Sequence, residues 1–309
     1  MNNNPSICIL MGTFNGQAFL AEQLLSIENQ SHKNWRLIIS DDGSTDATLT
    51  IAREFQEKWG SDRLEIREGP KQGFCKNFLS LACDPSIKAN FYAFADQDDV
   101  WMVDKLSTAL AYFKAETNTV LPGVYCGRTQ IVDEHLKVLG RSPLFSLPLS
   151  FRNALVQSIA GGNTMVFNQG AKELLEKAGL LSVVSHDWWV YQLITGAAGV
   201  VYYDPVPTVL YRQHNGCLVG SNSSFKSRAD RMYNAFKGQF KNWNDINCDA
   251  LLIVQHLLIK ENKDILVIFN KLRSASFKDR LRLLEVAGLY RQTWRGTLSL
   301  WFANLIDRI

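Results

Sequence analysis

Three short strand-like runs, apolar almost throughout and each stopped by a polar cluster, limit what this chain can become. "ICILMG" (Ile7–Gly12) stops at Thr13-Phe14-Asn15-Gly16, "WRLIIS" (Trp35–Ser40) at Asp41-Asp42-Gly43-Ser44, and "NFYAFAD" (Asn90–Asp96) runs into Asp96-Gln97-Asp98-Asp99. Runs of this length, apolar at odd and even positions alike, fit strands covered on both faces by helices. Helical spacing fills the gaps: Phe19, Leu20, Gln23, Leu24 and Ile27; Ile51 and Phe55 behind a capping Asp46; then Phe74–Ala82 and Lys105–Phe113. "LEIRE" (Leu64–Glu68) adds a short strand. Alternating strands and helices predict an α/β fold. In such folds ligands bind beyond the carboxyl ends of the strands, so the three polar clusters should converge on one cleft.

The second half reads as mixed. Gly123–Glu134 suggests strand and turn, Gly161–Asn168 a strand entered through two glycines, His186–Thr195 a helix, and Gly199–His214 two strands around a proline-rich bend. After Gly220–Ser224 the pattern is helical to Ile309, which divides residues 1–224 from residues 225–309. Charge follows the division. The first part carries 18 Lys and Arg against 22 Asp and Glu; the second carries 15 against 8. A mildly acidic body with a basic tail suggests two functional parts. The six cysteines form no C-x-x-C pair, as expected of reduced cytosolic thiols. No apolar run reaches the roughly 18 residues of a membrane span, and no secretory signal pattern opens the chain, so a cytoplasmic location is expected.

The acidic strand end carries the most chemistry. Three carboxylates in four positions, Asp96, Asp98 and Asp99, repel one another. One of them as a helix cap explains one, not three. A hard divalent cation offsets their repulsion and keeps open positions for the phosphate oxygens of a nucleotide.

With "TFNGQAFLAEQLLSI", "DDGSTDAT", "ADQDDVW", "GGNTMVFN", "HDWW" and "LYRQHNG" in that order, the chain resembles the family-2 glycosyltransferases of GT-A fold. It is most similar to bacterial rhamnosyltransferases of O-antigen and other cell-wall polysaccharides. The resemblance implies a Rossmann-like nucleotide-diphospho-sugar transferase domain with a mixed central sheet over residues 1–224. A helical region then follows over 225–309. It implies inverting transfer of L-rhamnose from dTDP-β-L-rhamnose to a hydroxyl of a saccharide or undecaprenyl-diphosphate-linked saccharide, with Mg²⁺ or Mn²⁺.

The same resemblance assigns roles. Thr13, Phe14 and Asn15 would line the nucleotide pocket; Asp42, beside Asp41, would accept from N3–H of the pyrimidine, and Lys76 would approach the nucleotide. Asp96, with Gln97 next to it, would face the ribose or bridge to the nucleotide. Asp98 would ligate the metal, His214 would add a nitrogen, and Arg212 would hold the diphosphate. Gly161, Gly162 and Asn163 would let the chain approach the donor sugar, and Asp187 would be the general base. His186 would tune Asp187 or only flank it, while Trp188 and Trp189 would stack on an acceptor sugar or pack in the core.

Three other readings stay open: a UDP-hexose donor on the same scaffold, a non-catalytic sugar-nucleotide binding module, and a nucleotidyltransferase. The last usually needs an arginine-bearing phosphate loop, which "TFNGQAFL" lacks. Absence of a Q-x-x-R-W motif argues against a processive synthase, and no nucleic-acid partner is expected. In Leu289–Ile306, Trp294, Leu298, Trp301, Phe302 and Leu305 fall near one helix face, with Arg291 and Arg295 nearby. That face suits peripheral contact with the inner membrane's cytoplasmic surface, packing on the catalytic domain, or a homo-oligomer contact.

Overall fold

The computed structural model describes residues 4–115, 121–214 and 238–309 of the 309-residue chain. Its first half is strand and helix in alternation: β1 (Ile7–Thr13), α1 (Leu20–Glu28), β2 (Trp35–Asp41), α2 (Thr48–Trp59), β3 (Leu64–Glu68), α3 (Phe74–Ala82) and β4 (Phe91–Ala95). Then come β5 (Val100–Trp101), α4 (Lys105–Ala115), β6 (Gly123–Gly127), β7 (Gln130–Val132), β8 (Val138–Arg141) and α5 (Phe151–Ala154). A 3-10 turn (Gly162–Thr164) leads into β9 (Val166–Asn168), followed by α6 (Gln169–Ala178), α7 (His186–Gly196), β10 (Val200–Asp204) and β11 (Val209–Arg212). Four helices close the chain: α8 (Gln239–Ile253), α9 (Lys260–Ser274), α10 (Phe277–Ala287) and α11 (Trp294–Leu305).

Seven strands form the main sheet in the order β10-β6-β9-β4-β1-β2-β3. The pairs among β1 to β4 are parallel, as is β6 with β10, while β9 runs antiparallel to both β4 and β6. The sheet is therefore mixed, as expected. Register sets the site. Thr13 lies opposite Asp41, and Met11 opposite Ala95, so β1, β2 and β4 end at one edge. Because β9 is reversed, with Val166 opposite Ala93, the Gly161–Thr164 turn that precedes it arrives at the same edge.

A smaller sheet, β5-β11-β7-β8, continues from the acidic cluster. β5 and β11 are antiparallel, with Leu210 opposite Val100, which brings Arg212 back beside Asp98 and Asp99. A missed element here is β8, whose largely exposed "VLGR" offers no buried apolar run to read.

The sheet's period of two divides its side chains between two cores. Ile7, Ile9, Met11, Leu37, Ile39, Ala93 and Ala95 pack with residues of α1, α2 and α4 on one face. Cys8, Leu10, Ile38, Tyr92, Phe94 and Phe167 pack with residues of α3, α6 and α7 on the other. The second core does not end with the α/β body. Cys248, Leu251, Leu266, Phe269, Leu272, Leu284 and Leu300 belong to the same apolar cluster. Polar contacts reinforce it: Asn262 Nδ2 donates to the carbonyls of Thr195 and Gly196, each at 3.0 Å, and Asn153 Nδ2 donates to the Tyr290 carbonyl at 3.0 Å. The expected boundary at 220–224 lies outside the described residues. Among those described, the basic helices complete the body's core.

A shared core predicts shared stability. Phe269 is 1% exposed, so Phe269→Ala should cost about 3–5 kcal/mol. Denaturant unfolding should shift as one transition sensed in both regions; separate transitions for body and helices would contradict this.

Candidate active site

Each polar strand end is fixed by its neighbours before any ligand is considered. Thr13 Oγ1 donates to Asp41 Oδ2 at 2.9 Å, and Asp41 also accepts from Ser44 N at 2.8 Å and Ser44 Oγ at 2.6 Å. Asp41 is thus an internal brace across the ends of β1 and β2. Asp42 accepts from Lys71 N at 2.6 Å and Gly73 N at 2.7 Å, which docks the loop before α3. Gly73 starts that helix at φ 87°, a left-handed backbone that favours glycine. Asn15, at φ 48°, accepts from Thr45 N through Oδ1 at 2.9 Å and joins the first loop to the second. Gln97 clamps Phe14 both ways: Oε1 accepts from Phe14 N at 2.9 Å, and Nε2 donates to Phe14 O at 3.0 Å. The Phe14 ring stands 56% exposed at the cleft.

The acidic cluster is enclosed and held from four elements. From α1, buried Gln23 donates to the Asp96 carbonyl at 3.0 Å. From β11, Arg212 N donates to Asp99 Oδ1 at 3.2 Å, and Arg212 Nε donates to the Asp98 carbonyl at 2.8 Å. From the turn before β9, Asn163 Nδ2 donates to Asp99 Oδ2 at 2.5 Å. From α4, the Lys105 ammonium lies fully buried 4.1 Å over the Trp101 ring, with no hydrogen-bond partner among the described residues. Burial holds the Asp96 carboxyl well above the usual carboxylate range, and Asp99, Asp98 and Asp187 add to the effect. Asp99 is raised likewise, by burial first and Asp98 second. Burial lowers Lys105, against the opposing pull of Asp99.

Asp98 and His214 converge. His214 Nε2 lies 2.9 Å from Asp98 Oδ2, and the imidazole packs on Phe19 at 4.8 Å between centroids. No cluster of three or more His, Cys, Asp or Glu side chains able to hold an ion occurs among the described residues. Two protein donors nevertheless suit a hard cation in a nucleotide site. Mg²⁺ characteristically takes one or two carboxylates and completes its shell with phosphate oxygens and water. The oxygen of Asp98 beside the nitrogen of His214 fits that chemistry.

Asp187 approaches from the opposite side. It lies in the first turn of α7, where the helix dipole favours an anion. Its Oδ1 accepts from Ser185 Oγ at 2.5 Å and Trp188 N at 2.6 Å; its Oδ2 accepts from Gly162 N at 3.2 Å. Gly162 and Asn163 therefore join the acidic cluster to Asp187 through adjacent residues. Gly162 has no freedom to be larger, since a Cβ there would lie 2.2 Å from His186 Nε2.

Several expected roles fall elsewhere. Lys76 Nζ donates to the carbonyls of Leu180 and Leu181, each at 3.0 Å, so it anchors the segment before α7 rather than reaching a nucleotide. Arg212 is 1% exposed; besides Asp98 its guanidinium bonds Glu22 and the Glu134 carbonyl, which makes it a brace under the cluster rather than a diphosphate clamp. Trp188 and Trp189 are both buried, with Trp188 Nε1 donating to the Ala154 carbonyl at 2.6 Å, so neither is a sugar platform. His186 faces the core. It stacks on Phe78 at 4.2 Å and meets Phe94 edge-on at 4.9 Å. The residues missed were Glu22, Gln23 and Lys105. Gln23 and Lys105 had a faint signal, a polar side chain on a stripe that otherwise reads as a buried helix face; Glu22, on the exposed side of α1, had none.

The comparisons with known proteins agree with this geometry. The Glycosyl transferase family 2 model matches residues 8–175. The chain is 31% identical over 237 residues to the dTDP-rhamnosyl transferase RfbG of Shigella flexneri, covering 72% of this chain and 78% of that protein. It is 30% identical over 148 residues to the putative glycosyltransferase EpsE of Bacillus subtilis (strain 168), covering 48% and 51%. The solved structure of S. aureus TarS 1-349 in complex with UDP-GlcNAc aligns with 98% of this chain and 89% of that one, at a TM-score of 0.53 and 15% identity, a likeness of fold alone. The chain belongs to glycosyltransferase family 2, and its fold is of the GT-A type.

Burial lowers the His186 pKa from 6.5 to about 4. A neutral imidazole so held adds stability that is complete above pH 6.5 and disappears as pH falls toward 4, about 3 kcal/mol in all. His186→Phe keeps an aromatic ring and removes the titration. The stability difference between parent and variant should change by that amount across this window; a pH-independent difference would contradict it.

Proposed function

We propose that this family-2 enzyme is an inverting rhamnosyltransferase. It moves L-rhamnose from dTDP-β-L-rhamnose to a hydroxyl of a saccharide or lipid-linked saccharide in bacterial surface polysaccharide synthesis. Support for the reaction type comes from one observation above all. Gly162 N–H meets the Asp187 carboxylate while the Asn163 amide meets Asp99, which ties a candidate base to the acidic strand end. The rhamnosyl choice rests on the likeness to a protein named as a dTDP-rhamnosyl transferase. A UDP-hexose donor is the competing reading.

The residues divide the work. Phe14 and the loop docked by Asp42 flank the base, and Asp42 lies at the strand end where it can accept the pyrimidine N3–H. Asp98 and His214 would hold a divalent cation, which supplies charge compensation for the departing diphosphate. Asp187 accepts the proton of the acceptor hydroxyl as that oxygen attacks the anomeric carbon. One displacement inverts the centre, so a β-linked donor gives an α-L-rhamnoside. The three hydrogen bonds to Asp187 fix its orientation, which is where much of the rate advantage of a positioned base arises.

Two outcomes are expected. Release of nucleotide diphosphate from a donor panel should be fastest with dTDP-rhamnose, stop in excess chelator, and nearly vanish in Asp98→Ala. Full activity with chelator, or preference for a UDP-hexose, would overturn the metal or donor assignment respectively. Asp187→Asn should lower kcat by about 10² or more with donor affinity little changed. Asn caps a helix nearly as well as Asp, so near-normal turnover would place the base elsewhere.

A further inference from the structure

Residues 179–185 link α6 to α7, and Ser185 at their end is the N-cap of α7. This segment is pegged from two sides. From α3, Lys76 Nζ donates to the carbonyls of Leu180 and Leu181, each at 3.0 Å, and Cys75 Sγ lies 3.6 Å from the Val183 carbonyl. From α8, Asn247 Oδ1 accepts from Val184 N at 3.0 Å, across 63 residues of sequence. One residue on, Ser185 Oγ donates to Asp187 Oδ1 at 2.5 Å. α8 also meets the chain just past the carboxylate, where the Trp243 ring lies edge-on to Trp188 at 6.4 Å between centroids. One helix of the basic tail thus touches the chain on both sides of Asp187, at Val184 and at Trp188.

The chemistry of the Val184 contact is informative. Asn247 is 2% exposed, and its Nδ2 is buried with no hydrogen-bond partner among the described residues. A buried donor left unpaired costs stability, which an apolar side chain of similar size would avoid. Packing alone therefore accounts poorly for an amide at this position. What the amide supplies is an acceptor that fixes the Val184 N–H, and with it the point at which Ser185 and the first turn of α7 begin. Placement on that scale matters to a proton acceptor, since small displacements of a reacting group slow a reaction steeply.

We propose that Asn247 is a positioning residue for the Asp187 carboxylate, so that the C-terminal helices take part in transfer as well as in the core. This rests on Asp187 being the base. The action runs through the backbone. Asn247 fixes Val184, Val184 delivers Ser185, and Ser185 Oγ holds Asp187 Oδ1 while Oδ2 meets Gly162 N–H.

The test is a double-mutant cycle on the full chain, read as nucleotide diphosphate release from the fastest donor of the panel. Asn247→Leu removes the acceptor atom and keeps the volume. It should lower kcat by about 10- to 100-fold, with affinity for the nucleotide diphosphate at the parent's value. In an Asp187→Asn background the same substitution should change kcat by no more than about twofold, because the oxygen it positions no longer takes a proton. Asn247→Ala, which removes the acceptor without bringing in a bulkier side chain, gives the same reading should leucine fail to pack. A loss of equal size in both backgrounds would make Asn247 a structural residue and overturn the proposal. Parental kcat in both Asn247→Leu and Asn247→Ala would overturn it too. Near-normal turnover in Asp187→Asn alone would overturn the base assignment, and this proposal with it, so the single variant separates the two failures.

Discussion

Like charge enclosed at a strand end is the constraint on which the rest of this structure depends. Asp98, Asp99 and Asp187 lie close enough to Asp96 to add to the effect of burial in raising its carboxyl. At an effective dielectric of 20, two unit charges 4 Å apart interact by about 4 kcal/mol. A cluster of this kind persists only where its surroundings fix it. The scaffold does so from every side: Gln23 on α1, Lys105 on α4, Asn163 before β9 and Arg212 on β11. The polar side chains in otherwise apolar elements here serve the acidic cluster.

The three strand ends were legible because parallel pairing imposes a direction. Apolar runs that stop at the clusters beginning with Thr13, Asp41 and Asp96 must deliver those clusters to one edge once they pair in parallel. The helices of the first half were equally readable, since their apolar spacing reflects real burial against the sheet; α3 occupies the expected Phe74–Ala82. The division of labour within the site was not legible. Arg212 and Lys76 are cations near an anion-binding cleft, yet local sequence does not reveal which way a long side chain turns. Arg212 turns inward because β11 pairs with β5 and brings it under Asp98; Lys76 turns toward the Leu180 and Leu181 carbonyls. Both outcomes depend on partners far away in the chain.

The basic tail shows the same limit from the other side. Its helical nature could be read from periodicity, but not which side packs: of the residues assigned to one face, Trp301 packs against the core while Trp294 and Phe302 are exposed. Packing on the catalytic body was one of the readings left open for the tail, and only the folded chain, where Asn262 meets α7 and Phe269 joins the shared cluster, shows which residues do it. His186 is a further instance. Beside an aspartate it suggests an acid–base pair, but stacking on Phe78 and contact with Gly162 make it a neutral wedge that sets the turn against Asp187.

The central claim is that the three strand ends form one metal-assisted nucleotide-sugar site. A crystal structure with dTDP and Mn²⁺, with anomalous data collected for the metal, tests it most directly. The account predicts a manganese peak within coordination distance of the Asp98 carboxylate and His214 Nε2, bridged to the diphosphate, with the thymine between Thr13 and Asp42. A nucleotide bound away from these strand ends, or a metal ligated by other residues, would contradict it.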